Sequence, residues 1–419
     1  MSSATARATC CLLALSLCAA AAGCAGTSRG DAVTILVPWG TKTPEYNAFI
    51  SVVTPFEQKN HVQFTVESSR AATQQLDADL AAHDLPDLVD LPSPAAVDQY
   101  KSELKPLTID LSSYDQPWRG LGELGTGTVY AVPVKADVKS LIWYRTSILR
   151  SPPTSWTALE NLSRHGTPWC LGLASGSTSG WPGADWVADI LLSRYHATTY
   201  ENWIDGQLRW TSADVKYAWN TWGELMRDGA GINGGAAAAL QTEFNDAQDE
   251  IASGGCELQH GALSATGLTS TSGYDYVPFP SISGAASPIL VSGDFMGLFT
   301  DNPNARRLLA YLATAQAQTA WVQHGGYAFS ADQAVKPLAY PRGVQQQIAG
   351  LFQPTHSSML CFSAEDMMQP DMTTAFEQAV LDYVDSPVHL QTLLNGMQHT
   401  QQGVGSSPQV LATRACAKP

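Results

Sequence analysis

The stretch VYAVPVKADVKSLIWY, residues 129–144, decides the fold that this sequence predicts. It consists of two extended, largely apolar runs joined by the tripeptide Lys-Ala-Asp at 135–137. A segment of this kind can leave one β-sheet and enter another, because each run can bury its apolar side chains in a different sheet. We therefore predict two α/β regions, with residues 129–144 forming part of a hinge between them.

Short strands and helices alternate before this stretch, as in a parallel sheet covered by helices. The apolar spacing predicts strands at 33–37, 62–66 and 87–91, with helices at 45–60 and 72–80 between them. In such sheets, ligands bind beyond the carboxyl ends of the strands. Trp39, Ser69 and Ser93 each follow one of these strands, so we expect them to lie near one another at one edge of the sheet.

The stretch CLGLASGSTSGWPGADW, residues 170–186, is a candidate ligand site in the second α/β region, residues 145–290. An apolar run at 168–174 precedes glycines, serines and Trp181, and helical spacing follows at 185–195. A helix start of this composition exposes unpaired amides, hydroxyls and an indole face, which suit a neutral polyhydroxylated ligand. The alternative is a helix start with turn residues and a buried tryptophan.

Two later segments are interpreted as further crossings between the regions. ILVSGDFMGLF at 289–299 is a predicted strand with a bend at Gly293 and Asp294. A helix at 303–322 leads to a third crossing at 324–327. These segments would return the chain to the first region and then to the second.

Helical spacing of apolar residues also predicts helices at 156–164, 215–226 and 390–397. In the second of these, Trp219 and Trp222 lie on the apolar stripe. A residue on that stripe faces the interior, so we expect both tryptophans in the core rather than at a ligand.

The first 23 residues have the composition of a bacterial signal peptide. Arg7 precedes the segment CCLLALSLCAAAA, which is too short and too rich in alanine to span a membrane. The segment ends in Ala-Ala-Gly-Cys24, which resembles a lipobox, whose cysteine is diacylated and becomes the new N-terminus. Several acyl chains give lasting anchorage. We expect a signal peptide at 1–23, a lipidated tether at 24–31 and a protein anchored on the extracytoplasmic face of the cell membrane; the alternative is an ordinary cleaved signal with a chance cysteine.

Acidic residues outnumber basic ones, with 38 Asp and Glu against 23 Lys and Arg. The formal net charge is −15, and removal of Arg7 with the signal makes it −16. This charge excludes binding to nucleic acid and electrostatic adhesion to anionic lipid. The length suits two domains. We interpret one acidic group as a solvated surface: Asp77, Asp79, Asp84, Asp87 and Asp90.

Four cysteines remain beyond the signal and Cys24, an even number in an oxidising compartment. Three pairings are possible, and we favour the pairs Cys170–Cys256 and Cys361–Cys416. No CxxC or HxxxH spacing supports a metal site. We expect neither a metal nor a cofactor.

Motifs that would indicate an enzyme are incomplete. GLGELG at 120–125 has the GxGxxG spacing but follows a polar, proline-containing run instead of a buried strand. GSTSG at 176–180 has Thr178 where a nucleophile elbow has serine, and no HExxH occurs among the nine histidines. We predict no catalytic residues and no enzyme activity.

Six segments in this order resemble a known family. They are LVPWG at 36–40, PDLVDLPSP at 86–94, YAVPVKADVKSLIWY at 130–144, SGSTSGWPGADW at 175–186, SGDFMGLFTDNP at 292–303 and WVQHGGYAFSAD at 321–332. Together with the lipobox they resemble the solute-binding lipoproteins of bacterial ATP-binding-cassette importers, in the carbohydrate-type, maltose-binding-like group (extracellular solute-binding family 1). The resemblance extends over essentially the whole mature chain.

The resemblance implies an α/β fold of the periplasmic-binding-protein-like type II, with two lobes joined by hinge strands and a ligand cleft between them. Lobe 1 would comprise 32–136 plus 295–325, and lobe 2 would comprise 137–294 plus 326–419. The implied function is a monomeric receptor that captures a sugar or oligosaccharide and delivers it to the membrane permease. By position, the implied ligand-binding residues are Trp39, Ser69, Arg70, Ser93, Lys135, Ser177, Ser179, Trp181, Asp185, Asp294 and Tyr327.

These residues would act in different ways, and alternatives stay open. The aromatic ones could stack on sugar rings, and the charged ones could bond to vicinal hydroxyls. Lys135 and Asp137 could instead form a hinge ion pair, and Arg70 could be a solvated helix start. An acidic cleft with aromatics would also suit a cation such as a polyamine. A surface-anchored glycosidase is a third hypothesis.

Overall fold

The computed structural model describes residues 32–268, 270–285, 287–405, 411 and 415–418. The signal peptide, Cys24 and the tether predicted from the sequence lie outside these residues. The described chain contains the strands β1 (Ala32–Val37), β2 (Gln63–Ser68), β3 (Leu88–Leu91), β4 (Ala131–Val138), β5 (Leu141–Arg145), β6 (Trp169–Cys170), β7 (Leu258–His260), β8 (Tyr274–Pro278), β9 (Ile289–Leu298), β10 (Leu360–Phe362) and β11 (Cys416–Ala417).

Helices cover these strands. They are α1 (Pro44–Asn60), α2 (Ala72–Ala82), α3 (Pro94–Gln99), α4 (Gln116–Gly122), α5 (Trp156–Arg164), α6 (Trp181–Ile204), α7 (Ala213–Met226), α8 (Gly235–Gln241), α9 (Ala247–Ser253), α10 (Pro303–Leu312), α11 (Ala315–Gln323), α12 (Val344–Gly350), α13 (Ala364–Met367), α14 (Pro370–Asp385) and α15 (Leu390–Val404). Among the described residues, no helix is both long enough and apolar enough to cross a membrane.

The strands form two sheets. One has seven strands in the order β11-β10-β9-β3-β1-β2, with β4 also paired to β9, and the other has four in the order β6-β7-β5-β8. β1 pairs in parallel with β2 and β3, which confirms the three strand–helix repeats predicted before residue 129. β1 is buried along most of its length, because helices cover both faces of its sheet.

The hinge is the antiparallel pair β4 and β9. The chain changes sheets after β4, at Lys139 and Ser140, and continues as β5 in the four-stranded sheet. The tripeptide at 135–137 therefore does not separate the two runs, as the sequence suggested, but lies inside β4. A register shift between Pro133 and Lys135 accommodates it.

β9 lies inside the seven-stranded sheet and pairs with different strands along its length. Its start pairs with β10 and its end with β3, while β4 lies along most of its length. Gly293 is needed where the two hinge strands cross, because a Cβ there would lie 2.5 Å from the Trp118 indole nitrogen and 2.6 Å from the Lys135 carbonyl oxygen.

Two helices differ from their predicted bounds. The helix predicted at 303–322 is divided into α10 and α11, because Thr314 starts a new helix by accepting a hydrogen bond from the Ala317 amide. α6 begins at Trp181 and not at 185, so the candidate tryptophan lies in its first turn. A kink follows at His196, whose φ of 65° is not helical.

The apolar residues form one main core, and two predictions about it are confirmed. Trp219 and Trp222 are buried. Both expected disulfides, Cys170–Cys256 and Cys361–Cys416, are present. The first fastens β6 to the segment before β7, and the second joins β10 to the C-terminal strand β11.

Candidate functional site

Lys135 of the hinge strand β4 is the centre of the first charged cluster. Its Nζ lies 3.0 Å from Glu45 Oε1, 3.1 Å from Asp137 Oδ2 and 3.8 Å from Asp294 Oδ2. Burial would lower the pKa of Lys135, but the three carboxylates outweigh it and raise that pKa well above its usual value. Lys135 therefore carries its charge and forms the hinge ion pair with Asp137 that the sequence left open.

The carboxyl groups of this cluster are poorly solvated. Burial raises the pKa of Asp294 to about 6, although Lys135 opposes the rise and Trp39 Nε1 donates to Asp294 Oδ2 at 3.3 Å. Asp90 is fully buried at the end of β3, and neither of its carboxyl oxygens has a hydrogen-bond partner in the described part of the chain. Burial, followed by the neighbouring Asp294, raises the pKa of Asp90 well above normal, which favours its neutral form.

The burial of Asp90 shows that one prediction from the sequence is wrong. The sequence interpretation assigned it to a solvated acidic surface, but β3 is covered on both faces, so its polar side chain is enclosed with its apolar neighbours. Acidic residues between apolar ones are typical of a strand with one solvated face. The covering of its second face depends on long-range packing that the local pattern does not report.

Lys139 is the centre of a second cluster, just beyond the end of β4. Its Nζ lies 3.0 Å from Asp185 Oδ1, 3.0 Å from Glu365 Oε1 and 3.8 Å from Asp366 Oδ2. The carboxylates raise the pKa of Lys139 well above normal against the effect of burial. Both hinge lysines are thus fully engaged by acidic side chains.

Asp185 and Glu365 both contact Lys139 within this second cluster. Lys139 and the Ser363 hydroxyl donate to Asp185 Oδ1, whereas Asp185 Oδ2 and Glu365 Oε2 are buried without a hydrogen-bond partner among the described residues. Burial and the Glu365 charge raise the pKa of Asp185 well above normal, while Lys139 lowers the pKa of Glu365 despite its burial. Of the two carboxyl groups, Asp185 is therefore the one whose surroundings favour its neutral form.

The two clusters influence each other. Burial raises the pKa of Asp366 to about 7, and the charges of Glu365, Asp294 and Asp137 contribute to the rise. Asp294 and Asp137 belong to the Lys135 cluster, so the clusters are close enough to interact electrostatically. No set of three or more His, Cys, Asp or Glu side chains in the described part of the chain is arranged to hold a metal ion.

An aromatic pair borders the Lys139 cluster. The half-buried Trp181 ring has its centroid 5.1 Å from Lys139 Nζ and 5.2 Å from the centroid of Phe244, which meets it edge-on. Arg70, beyond the end of β2, lies 5.4 Å above the Phe244 ring and donates a 3.0 Å hydrogen bond to Ser175 Oγ. Side chains from both sheets therefore meet at this point.

The structure brings some of the predicted ligand residues together. Lys135, Asp294 and Trp39 share one cluster, and Trp181 and Asp185 both contact Lys139. Trp39 is only 3% exposed and packs against Phe49 and Trp321, which leaves little of its ring for a ligand.

The remaining predicted residues lie outside these contacts. Ser93 caps α3 by accepting from the Ala96 amide, and Ser179 accepts from the Ser175 amide within its own turn. Ser177 is exposed. Ser69 and Tyr327 are half-buried, the latter with a left-handed φ of 52°. A ligand role for each of these eleven residues stays a prediction.

Sequence reasoning did not select Glu45, Lys139, Glu365 and Asp366 as candidates. Lys139 could have been found, because it lies four residues after Lys135 on one extended run, and side chains two or four apart share a face. Glu45 is in the first turn of α1, where an acidic residue was attributable to the helix dipole. Glu365 and Asp366 follow β10, a three-residue strand whose pattern gave no signal.

Comparisons with known proteins agree with this architecture. Residues 39–319 match the family described as bacterial extracellular solute-binding protein. The chain is 30% identical over 326 residues to the alpha-glucosides-binding periplasmic protein AglE of Rhizobium meliloti, covering 70% of this chain and 71% of that protein. It is also 30% identical over 364 residues to the osmoprotective compounds-binding protein GgtB of Synechocystis sp., covering 81% and 86%.

Solved structures with low sequence identity share the fold. The bacterial solute receptor AcbH superposes with a TM-score of 0.76 at 17% identity, covering 89% of this chain and 99% of AcbH. Maltose-bound MalE3 of T. maritima gives a TM-score of 0.70 at 15% identity, covering 89% and 100%. The fold is the predicted type II periplasmic-binding-protein fold. The chain belongs to the family of bacterial extracellular solute-binding proteins.

Proposed function

We propose that this protein is the substrate-binding receptor of an ATP-binding-cassette importer, which captures a sugar or oligosaccharide between two lobes and delivers it to the membrane permease. Family membership supports the receptor role. The names of the relatives support the ligand class, since AglE binds alpha-glucosides and two similar structures are described with galactopyranose and maltose. We propose the lobe boundaries predicted above. The change of sheet after β4 supports the boundary near residue 137, while β10 and β11 of the proposed lobe 2 join the seven-stranded sheet through β9.

One observation carries the ligand class: the two hinge lysines are each held by three carboxylates, and Lys139 lies beside the half-buried Trp181 indole. Neither lysine is free to bind an anion, so acidic sugars and sugar phosphates are disfavoured. Carboxyl groups with raised pKa values can both donate and accept hydrogen bonds, as sugar hydroxyls require. The Trp181 ring supplies an apolar face for the C–H side of a sugar.

The same charges favour a second candidate, a cationic solute such as a polyamine. Six carboxyl groups contact only two lysines, which leaves the clusters with an excess of acid. The two ligand classes differ in pH dependence. A cation needs ionised carboxylates, so its affinity would rise as pH passes the raised pKa values of Asp294 and Asp366, near 6 and 7. A neutral sugar has no such requirement.

The place and manner of action are proposed as follows. Cys24 carries a lipid that holds the receptor on the extracytoplasmic face of the membrane, which the extracellular assignment of the family supports. The receptor acts as a monomer. It binds its solute without chemical change, as the binding-protein names of its relatives suggest.

A thermal-shift screen of the mature chain carrying Cys24→Ser tests the proposal. The panel contains maltose, trehalose, galactose, raffinose, glucuronate and spermidine. A neutral sugar at about a hundred times its dissociation constant should add about 2.7 kcal/mol to the free energy of unfolding, with glucuronate inactive. A shift with spermidine alone would select the second candidate. Recovery of a reducing-end-labelled sugar intact after incubation excludes the glycosidase.

A further inference from the structure

Arg70 connects the two halves of the molecule. It lies between β2 and α2, on the side of the seven-stranded sheet. Its guanidinium extends to Ser175, which follows β6 of the four-stranded sheet, and to Phe244, whose segment lies beside residue 174. Contacts of this kind exist only when the halves are close together.

Ser175, which accepts the hydrogen bond from Arg70, is also held by hydrogen bonds within its own turn. Ser175 is 4% exposed, and its Oγ lies 3.0 Å from Thr178 Oγ1 while its amide donates to Ser179 Oγ at 2.9 Å. The turn thus fixes the serine hydroxyl through its own hydrogen bonds. A fixed acceptor loses little conformational entropy when the guanidinium binds.

Phe244 extends the contact toward the candidate ligand site. Its ring lies under the Arg70 guanidinium and edge-on to Trp181, and the Trp181 ring is next to Lys139 Nζ. The four side chains thus form a row in the order Arg70, Phe244, Trp181 and Lys139, with a cation at each end and the last residue at the hinge. A change in the position of Arg70 could therefore reach the indole through Phe244, which contacts both residues.

We infer that Arg70 is a positioning residue: it latches the two halves at the edge of the cleft and, through Phe244, fixes the orientation of the Trp181 indole. The latch does not depend on a ligand. Only the role given to the indole rests on the proposed function. This differs from the prediction that Arg70 bonds to the sugar, because its guanidinium is already engaged by protein groups across the gap.

The test uses the ligand-free mature chain with Cys24→Ser, and compares the wild-type sequence with Arg70→Gln, Arg70→Lys and the control Arg306→Gln. Arg306, in α10, likewise donates a hydrogen bond to a protein oxygen, the Pro106 carbonyl, but both of these residues belong to the predicted lobe 1. Small-angle X-ray scattering gives the radius of gyration. Fluorine spectra of protein labelled with 5-fluorotryptophan report the Trp181 ring, whose resonance is assigned by Trp181→Phe.

Arg70→Gln should raise the ratio of open to closed molecules about tenfold, which is the effect of losing one hydrogen bond from a charged donor. The radius of gyration should increase and the Trp181 resonance should move. Arg70→Lys should restore part of both changes, since it keeps a cation over Phe244, and Arg306→Gln should leave both unchanged.

The other outcomes show whether the latch or the proposed function fails. If Arg70→Gln changes neither the radius of gyration nor the Trp181 resonance, no latch exists. If the same variant then also loses maltose binding, Arg70 contacts the sugar directly, and the proposed function stands without the latch. If Arg70→Gln opens the molecule but no sugar binds to the wild-type chain, the latch stands and the proposed function fails.

Discussion

Lys135 and Asp294 face each other in register across the two hinge strands, with Lys135 Nζ 3.8 Å from Asp294 Oδ2. The pair lies in the antiparallel ladder that connects the two halves, and Glu45 and Asp137 share the same lysine. The lysine is therefore both a structural counter-charge for the hinge and a neighbour of the candidate ligand site. Replacement of Lys135 should therefore lower the free energy of unfolding more than it lowers ligand affinity.

Lys135→Met should destabilise the protein by about 3–5 kcal/mol at pH 7, because it leaves three neighbouring carboxylates without their counter-charge. The loss should be smaller at pH 5, where Asp294, with a pKa of about 6, is mostly protonated. Urea unfolding at both pH values measures the two free energies. Lys105→Met is the matched control, since its ion pair with Asp301 is largely exposed and should contribute at most about 1 kcal/mol. Equal effects of the two substitutions would refute the structural role of Lys135.

Asp115→Asn should make stability less dependent on pH. Burial raises the pKa of Asp115 to about 7; the hydrogen bond donated by Gln333 opposes this rise, and the Asp332 charge adds a smaller one. A raised carboxyl pKa means that the stabilisation is complete below about pH 4 and is lost as pH rises through 7. The amide accepts the same hydrogen bond without ionising. The free energy of unfolding of the variant should therefore increase relative to that of the wild type between pH 5 and 8.

The gain should approach about 1.4 kcal/mol per pH unit between pH 5 and 6, the value for one proton, and should level off above pH 7, where Asp115 is ionised in both the folded and the unfolded state. Chemical unfolding at pH 5, 6, 7 and 8 gives the difference between the two proteins. Asp366 and Glu377, with pKa values near 7 and 8, titrate in both proteins and cancel in that difference. A difference that stays constant from pH 5 to 8 would show that Asp115 is ionised throughout.

Trp181→Ala should weaken the binding of whichever panel sugar gives the thermal shift, by at least about 1–2 kcal/mol, with only a small change in the ligand-free melting temperature. Trp156→Ala is the control, because Trp156 is also half-buried and also packs on one phenylalanine, Phe279. Isothermal titration calorimetry gives the affinities. If both variants bind the sugar equally well, Trp181 is not a ligand contact. Collapse of the ligand-free Trp181→Ala protein would assign the ring to the core.

Replacing both Cys361 and Cys416 by serine should lower the free energy of unfolding by about 4 kcal/mol in the loop-entropy model, given their sequence separation of 55. The two residues are directly opposed in the two-residue pairing of β10 with β11. Without the bond, only non-covalent contacts such as this short pairing hold the C-terminal strand. Limited proteolysis should then cleave near residue 405 in the variant first. Unchanged proteolysis would mean that the strand is held by other contacts.

Much of the fold was predictable because its signals are local. The strand at 33–37, the helix with Trp219 and Trp222, and the even set of cysteines each follow from spacing or composition. The position of the sheet change was not predictable in detail. Lys-Ala-Asp suggests a polar break, but the tripeptide is inside β4, since its lysine and aspartate neutralise each other within the sheet.

The candidate site was predictable only in part, because its groups come from distant parts of the chain. Asp185 was selected from the stretch around Trp181, and Lys135 from the hinge. Their partners Glu45 and Glu365 are far away in sequence, and only the folded chain shows that they share the same lysines. A lone carboxylate in an acidic sequence carries no information about its partner.

The strand β9 is paired to β4 across the boundary between the two halves, with one register shift, between Pro133 and Lys135. The hydrogen bonds on either side of the shift resist a sharp break of the ladder, so a closing rotation has to be distributed as extra twist over several peptide units. The two strands would therefore resist closure elastically. Their restoring torque would act against the Arg70 contact and would help to reopen the molecule once the solute departs.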